Sequence, residues 1–110
     1  MKRGEVWRAR LASGAGRTQS GIRPVVVVQD DRFRTPTVLV VPFTSQQAAV
    51  RFPGTLVVQP DASNGLTVPS VALGFQLQAL DRHDCLQLLG VLDAQTLDQI
   101  LALLDGLTGR

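Results

Sequence analysis

The sequence is poor in the side chains that most enzymes use. Its 110 residues include one cysteine, one histidine, one tryptophan, one methionine and no tyrosine. The lone Cys85 cannot close an intrachain disulfide, and no thiol cluster is available for a structural metal. The run His83-Asp84-Cys85 is too short to surround zinc or iron by itself and reads as a polar turn ahead of a strand. There is no Gly-x-x-x-x-Gly-Lys-Ser/Thr run to cradle a nucleotide and no Gly-x-Ser-x-Gly elbow to carry an acyl-hydrolase serine. No apolar run approaches the roughly 20 residues that span a bilayer. The beginning, Met1-Lys2-Arg3-Gly4-Glu5, lacks the apolar stretch of a signal peptide. The expectation is a cytoplasmic protein without membrane contact, cofactor or metal. With 45% hydrophobic and 18% charged residues, disorder is excluded, and the length suits one domain, 1–110, around one core.

Lysine is nearly absent as well: 10 of the 11 basic residues are arginine. Their distribution is lopsided. Residues 1–51 hold 9 bases and 3 acids, whereas 52–110 hold 2 bases and 6 acids. Arginine's planar fork matches phosphate oxygens, so the first half is expected to build a face that attracts a polyanion.

Short apolar runs separated by turn signals organise the chain. Residues 4–11 alternate, with Val6, Arg8 and Arg10 on one side and Glu5, Trp7, Ala9 and Leu11 on the other, which is strand periodicity. The Gly/Ser-rich run 12–22 is expected as a mobile surface loop. The β-branched runs 24–29 and 37–41 read as central strands buried on both faces, joined by the polar turn 30–36. Pro42 has no ladder donor, so the second run is expected to leave the sheet there. Runs 54–59 and 71–80 continue the pattern; in the latter Val71, Leu73, Phe75 and Leu77 share a face, and Gly74 marks a bulge or bend. Residues 86–92 suit either a last strand or a helical turn. Asp93 then reads as an N-cap to a helix over 94–107, with Leu97, Ile100, Leu101, Leu104 and Leu107 on one stripe and Gly106 and Gly109 as stops. Strands followed by one amphipathic helix predict a mainly β (α+β) fold: a small, curved, partly open antiparallel barrel with a C-terminal helix against it.

An active site in such a chain has to work with arginine, hydroxyls, amides and backbone groups, which points to a phosphate ester. RNA suits it, because the 2′-hydroxyl is an internal nucleophile beside the phosphate and the protein need only align it and stabilise charge on the phosphoryl oxygens. Arg23 enters one Val-rich strand and Thr44-Ser45 leave the next. If the two strands are antiparallel neighbours, Arg23 and Thr44 lie at the same edge.

Four stretches together resemble the MazF/PemK family of toxin endoribonucleases, whose SH3-like fold is shared with the CcdB gyrase poisons. They are Arg3-Gly4-Glu5-Val6-Trp7, GIRPVVVVQ at 21–29, TVLVVPFTS at 37–45 and SVALGFQLQALD at 70–81. The resemblance runs in order through almost the whole chain. It implies a homodimeric, metal-independent ribonuclease that cuts single-stranded RNA, including mRNA, at short words. The products it implies carry a 2′,3′-cyclic phosphate and a 5′-hydroxyl. It also implies a cognate MazE-like antitoxin whose acidic tail lies in the RNA groove. The family's catalytic arginine, in its Arg-Pro-Val motif, falls on Arg23, and its catalytic hydroxyl falls on Thr44. Arg17, Gln19, Ser45, Gln46, Arg51 and Gln76 are expected to hold the RNA strand. Trp7, on an alternating strand, reads as core rather than as a base-stacking platform.

Three positions depart from the family. Thr18, not glutamate, precedes Gln19; Phe75 replaces an acid or amide ahead of Gln76; and the connection after Gln29 (DDRFRTP) is short, with Arg32 and Arg34 in it. These departures imply a change in the recognised word or in rate. Two other readings stay open: a gyrase-binding toxin, although this chain ends Leu107-Thr108-Gly109-Arg110 rather than Trp-Gly-Ile, and a member that binds RNA or antitoxin without cutting.

Overall fold

The computed structural model describes residues 1–11 and 21–110. Arg17, Thr18 and Gln19 lie outside these, as does the expected loop apart from Gly21 and Ile22, which open a strand. Among the described residues there are seven strands and one α-helix: β1 (Glu5–Leu11), β2 (Gly21–Val27), β3 (Thr37–Thr44), β4 (Thr55–Val58), β5 (Ser70–Leu73), β6 (Gln78–Asp81), β7 (Cys85–Val91) and α1 (Ala94–Leu107). The strands form one antiparallel sheet in the order β4-β5-β3-β2-β1-β7, with β6 paired to β3. The two ends of that path, β4 and β7, do not pair with each other. The architecture is therefore the partly open, curved antiparallel sheet with a C-terminal helix that the pattern implied.

The valine runs have a direct cause: both faces are covered from Val25 to Val28 and from Val40 to Phe43, whereas the start of β3 leaves one face open, with Thr37 and Leu39 exposed, against the expectation that all of 37–41 is buried. Val26 and Val28 of the β2 run, with Val41 and Phe43 of β3, enter one core with Val6, Ile100 and Leu66. Val25 and Val27, with Val38 and Val40, enter a second core with Ala9, Leu11, Leu80 and Cys85, against which half-buried Trp7 packs. Strands buried on both sides need no polar alternation. Helix α1 covers the first core through Ile100, with Leu101 and Leu104 beside it. Its start follows from Asp93, whose carboxylate accepts the Thr96 backbone N–H at 3.0 Å and the Thr96 hydroxyl at 2.6 Å, satisfying an N–H that the first helical turn leaves without a partner.

Three expectations change. Pro42 does not end its strand: β3 runs on to Thr44, and Pro42 stays opposite Val25 of β2. On its other side β3 pairs with β6 through Val40 and with β5 from Phe43, so the missing N–H falls where the strand changes partners. The single run 71–80 is broken by a 3₁₀ turn, Gly74–Gln76. There the Gly74 N–H donates to the Gly54 carbonyl at 2.9 Å, and a Cβ on Gly74 would lie 2.7 Å from that oxygen. The close approach turns the chain, so Phe75 and Leu77 do not share the buried face of Val71 and Leu73 but are exposed. Lastly, Gly106 lies inside α1, and Gly109, at φ +80°, follows its end.

Candidate active site

β2 begins where β3 ends. The ladder between them runs from Val27–Val40 to Val25–Pro42, and Arg23 and Thr44 lie just beyond that end of it. Both line one cleft of about 530 Å³, with Arg8 from β1 and the hydroxyl residues Ser45, Thr67 and Ser70. Among the described residues no acidic side chain lines it. Apolar Phe43, Leu66 and Leu89 form much of the rest, a setting in which a half-buried cation is screened less than in open water.

Arg23 is half-buried, and its Nε is fully covered with no hydrogen-bond partner among the described residues. A buried donor without a partner costs on the order of 1–3 kcal/mol. Thr44 is 5% exposed, and its Oγ1 accepts the Gln46 backbone N–H at 3.2 Å. That contact uses the oxygen and leaves the hydroxyl proton to be donated. Pairing of Thr44 with Val71 of β5 holds the hydroxyl on the sheet.

One wall of the cleft is Gly65–Val68, part of a segment, 59–69, held by a buried hub. Asn64 accepts the backbone N–H groups of Asp61 (3.2 Å) and Leu66 (3.0 Å) and donates to the Gln59 carbonyl (2.9 Å). Gly65, at φ +72°, lies so close to β7 that a Cβ there would meet the Leu89 carbonyl oxygen at 2.2 Å. Opposite, Gln47 donates to the carbonyls of Pro69 (2.9 Å) and Ser45 (3.3 Å), tying the 3₁₀ turn Gln47–Arg51 to that wall.

Thr44 also borders a second hollow of about 220 Å³, lined by Gln46, Ala48, Ala49, Arg51, Phe52, Leu73, Phe75 and Gln76. The eight residues singled out from sequence thus divide: Arg23, Thr44 and Ser45 share the larger cleft, Gln46, Arg51 and Gln76 share the smaller with Thr44, and Arg17 and Gln19 lie outside the described residues. Arg8, Thr67 and Ser70 were missed. Arg8 had a signal, its place beside Arg10 on the polar side of β1; Thr67 and Ser70 had none, because only folding brings their segment across β2.

Two other arginines are engaged by carboxylates. Arg32 pairs with Asp30 at 3.1 Å and Arg10 with Asp84 at 3.5 Å, and the hydrogen bond from Arg32 holds the Asp30 carboxyl below its usual range. Among the described residues, Arg8, Arg23 and Arg51 have no carboxylate within ion-pair distance. Burial pushes the Cys85 thiol up, which disfavours a thiolate nucleophile. Among the described residues no group of three His, Cys, Asp or Glu side chains is placed to hold a metal ion, and no helix is long and apolar enough to cross a membrane.

Fold and cleft define a class: small proteins of one curved antiparallel sheet that gather arginine and hydroxyl side chains, without acids, at a shared strand end. Comparison with known proteins makes the assignment sharper. Residues 2–107 match the PemK-like, MazF-like toxin of type II toxin–antitoxin systems, and the chain belongs to that family. It is 34% identical over 104 residues to Endoribonuclease EndoA of Bacillus subtilis, covering 91% of this chain and 87% of that protein. Endoribonuclease MazF of Staphylococcus saprophyticus is 34% identical over 85 residues, covering 76% and 70%. Among solved structures, MazF from Deinococcus radiodurans has the same fold at a TM-score of 0.83 and 23% identity, covering 100% of this chain and 97% of that one. A mycobacterial endoribonuclease in complex with its cognate antitoxin gives a TM-score of 0.76 at 21% identity, covering 99% and 95%.

Proposed function

We propose that this toxin is a sequence-specific, metal-independent endoribonuclease. The observation that carries the reading is the placement of Arg23 and Thr44 in one acid-free cleft, in a chain whose relatives are endoribonucleases. A phosphodiester seated there meets the Arg23 guanidinium and the fixed Thr44 hydroxyl. The 2′-oxygen of the preceding ribose attacks phosphorus as the bond to the 5′-oxygen breaks. The 2′-proton leaves, and a proton is delivered to the departing oxygen. The products are a 2′,3′-cyclic phosphate and a 5′-hydroxyl. Arg23 stabilises the charge that builds on the phosphoryl oxygens, and Thr44 donates to the scissile phosphate and aligns it. Arg17, Gln19, Ser45, Gln46, Arg51 and Gln76 hold the strand on either side.

The working form is a homodimer. A cognate antitoxin with an acidic tail silences it by occupying the same basic surface, as two polyanions compete for one set of arginines. The deciding experiment is incubation of antitoxin-free protein with a long, mixed-sequence RNA in EDTA, with cut positions and end chemistry mapped. Cuts at one short word with cyclic-phosphate ends are expected. Intact RNA after incubation with folded protein overturns the reading.

A further inference from the structure

The smaller hollow differs from the cleft in having two aromatic rings, Phe52 and Phe75, in its lining. Phe75, displaced from the buried face by the turn at Gly74, is 38% exposed, and its ring lies 5.4 Å from that of Phe52 at a tilt of 52°. The Arg51 guanidinium stands 5.1 Å over the Phe52 ring. An aromatic ring backed by a second ring and flanked by a stacked guanidinium presents a π-face to whatever enters. The amide of Gln46, which makes no hydrogen bond among the described residues, and that of Gln76 border the same space, and no acidic residue does. Such amides offer one donor and one acceptor side by side, the pattern that reads a base edge. The hollow shares Thr44 with the larger cleft, so its occupant is the group joined to the phosphate beside Thr44.

We infer that this hollow is a nucleobase subsite, in which one unstacked base of the RNA strand lies on Phe75 and is read by Gln46 and Gln76 while its neighbouring phosphodiester lies by Thr44 and Arg23. The inference rests on the ribonuclease reading for the identity of the strand. It makes Phe75 a determinant of the recognised word and not of the chemical step. Carbon and hydrogen atoms alone on that ring give it no part in proton transfer.

Cleavage profiles on a randomised RNA, for the wild type, Phe75→Ala and Phe75→Tyr, provide the test. Phe75→Ala is expected to erase base preference at one position beside the cut and leave the other positions unchanged, with Phe75→Tyr restoring it. An unchanged profile, or an equal loss at every position, overturns the subsite. A second arm does not need cleavage: equilibrium binding of non-cleavable single-stranded 2′-O-methyl RNA against the same backbone lacking bases. Wild type is expected to prefer the based strand by roughly 10-fold, within the range for one base stacked on one ring, and Phe75→Ala to lose that margin. If wild type fails to cut but shows the margin, cleavage is refuted and the subsite stands. Equal binding of both strands by wild type overturns the subsite, as does a Phe75→Ala variant that weakens only an acidic peptide.

Discussion

The hydroxyl of Thr44 accepts the backbone N–H of Gln46 at 3.2 Å, so the residue at the centre of the cleft is also the local lock on the chain leaving β3. Both roles rest on the same oxygen. Thr44→Val keeps the shape and removes the oxygen, which is expected to cost about 1 kcal/mol of stability and to reduce cleavage strongly. Thr44→Ser keeps both. Urea midpoints and single-turnover cleavage on one RNA check the pair; a fully active Thr44→Val variant would remove the hydroxyl from the mechanism.

Arg23 has a different signature. Loss of one donor aimed at developing charge typically costs about 10²–10³ in rate. Arg23→Ala is expected to fall in that range without loss of stability, since it deletes a covered donor that has no hydrogen bond to lose and whose burial is itself unfavourable. Arg23→Lys restores the charge but not the fork and is expected to recover only part of the rate. Stopped-time cleavage assays beside circular dichroism decide it.

Arg8 is expected to act by charge alone. It lines the cleft from β1 without a carboxylate partner among the described residues. Arg8→Ala should weaken RNA binding at every sequence while leaving the cut word intact. The slope of log K against log salt should shrink by roughly 0.7, the value for one phosphate contact on a single strand. A salt titration by fluorescence anisotropy reads it directly, and an unaltered slope would place Arg8 outside the interface.

Two glycines predict opposite effects. At Gly65 the backbone is left-handed and a Cβ would overlap the Leu89 carbonyl, so Gly65→Ala is expected to destabilise by about 3 kcal/mol or more and to deform the cleft wall. At Gly106, inside α1 with open space around it, Gly106→Ala is expected to stabilise by about 0.5–1 kcal/mol. Thermal and denaturant unfolding of the two variants provide the comparison.

Stability should fall in acid, with an identifiable part from the helix cap. The hydroxyl and backbone N–H of Thr96 hold the Asp93 carboxyl below its ordinary value of 3.8. A carboxylate whose folded value is depressed contributes stability that is fully present above the unfolded value and is lost as pH falls through the folded one. Asp93→Asn is expected to flatten that part of the curve while retaining much of the cap. Urea unfolding at a series of pH values from neutral to below 3.8 measures it; identical curves for the two proteins would refute the contribution.

What the sequence alone determined is local or periodic. The Asp93 cap and the apolar stripe of α1 are readable because their partners lie within one or two helical turns. The valine runs announce strands covered on both faces because no residue in them is suited to water. The Arg-Pro-Val and Pro-Phe-Thr-Ser segments marked Arg23 and Thr44 as candidates, and the antiparallel connection of their strands implied a common edge. The tertiary structure decided the rest, for reasons of distance along the chain. Pro42 remains in the sheet because β3 exchanges β6 for β5 at that point, a fact about three strands and not about proline. Phe75 turns outward because Gly74 touches the backbone of Gly54, 20 residues away. Gly65–Val68 become a wall of the cleft because Asn64 and Gly65 seat their segment against β7. No periodicity within a strand records which distant backbone will lie against it, so the hydroxyls of Thr67 and Ser70, and the ring of Phe75, acquire a place at the site only when the sheet curves.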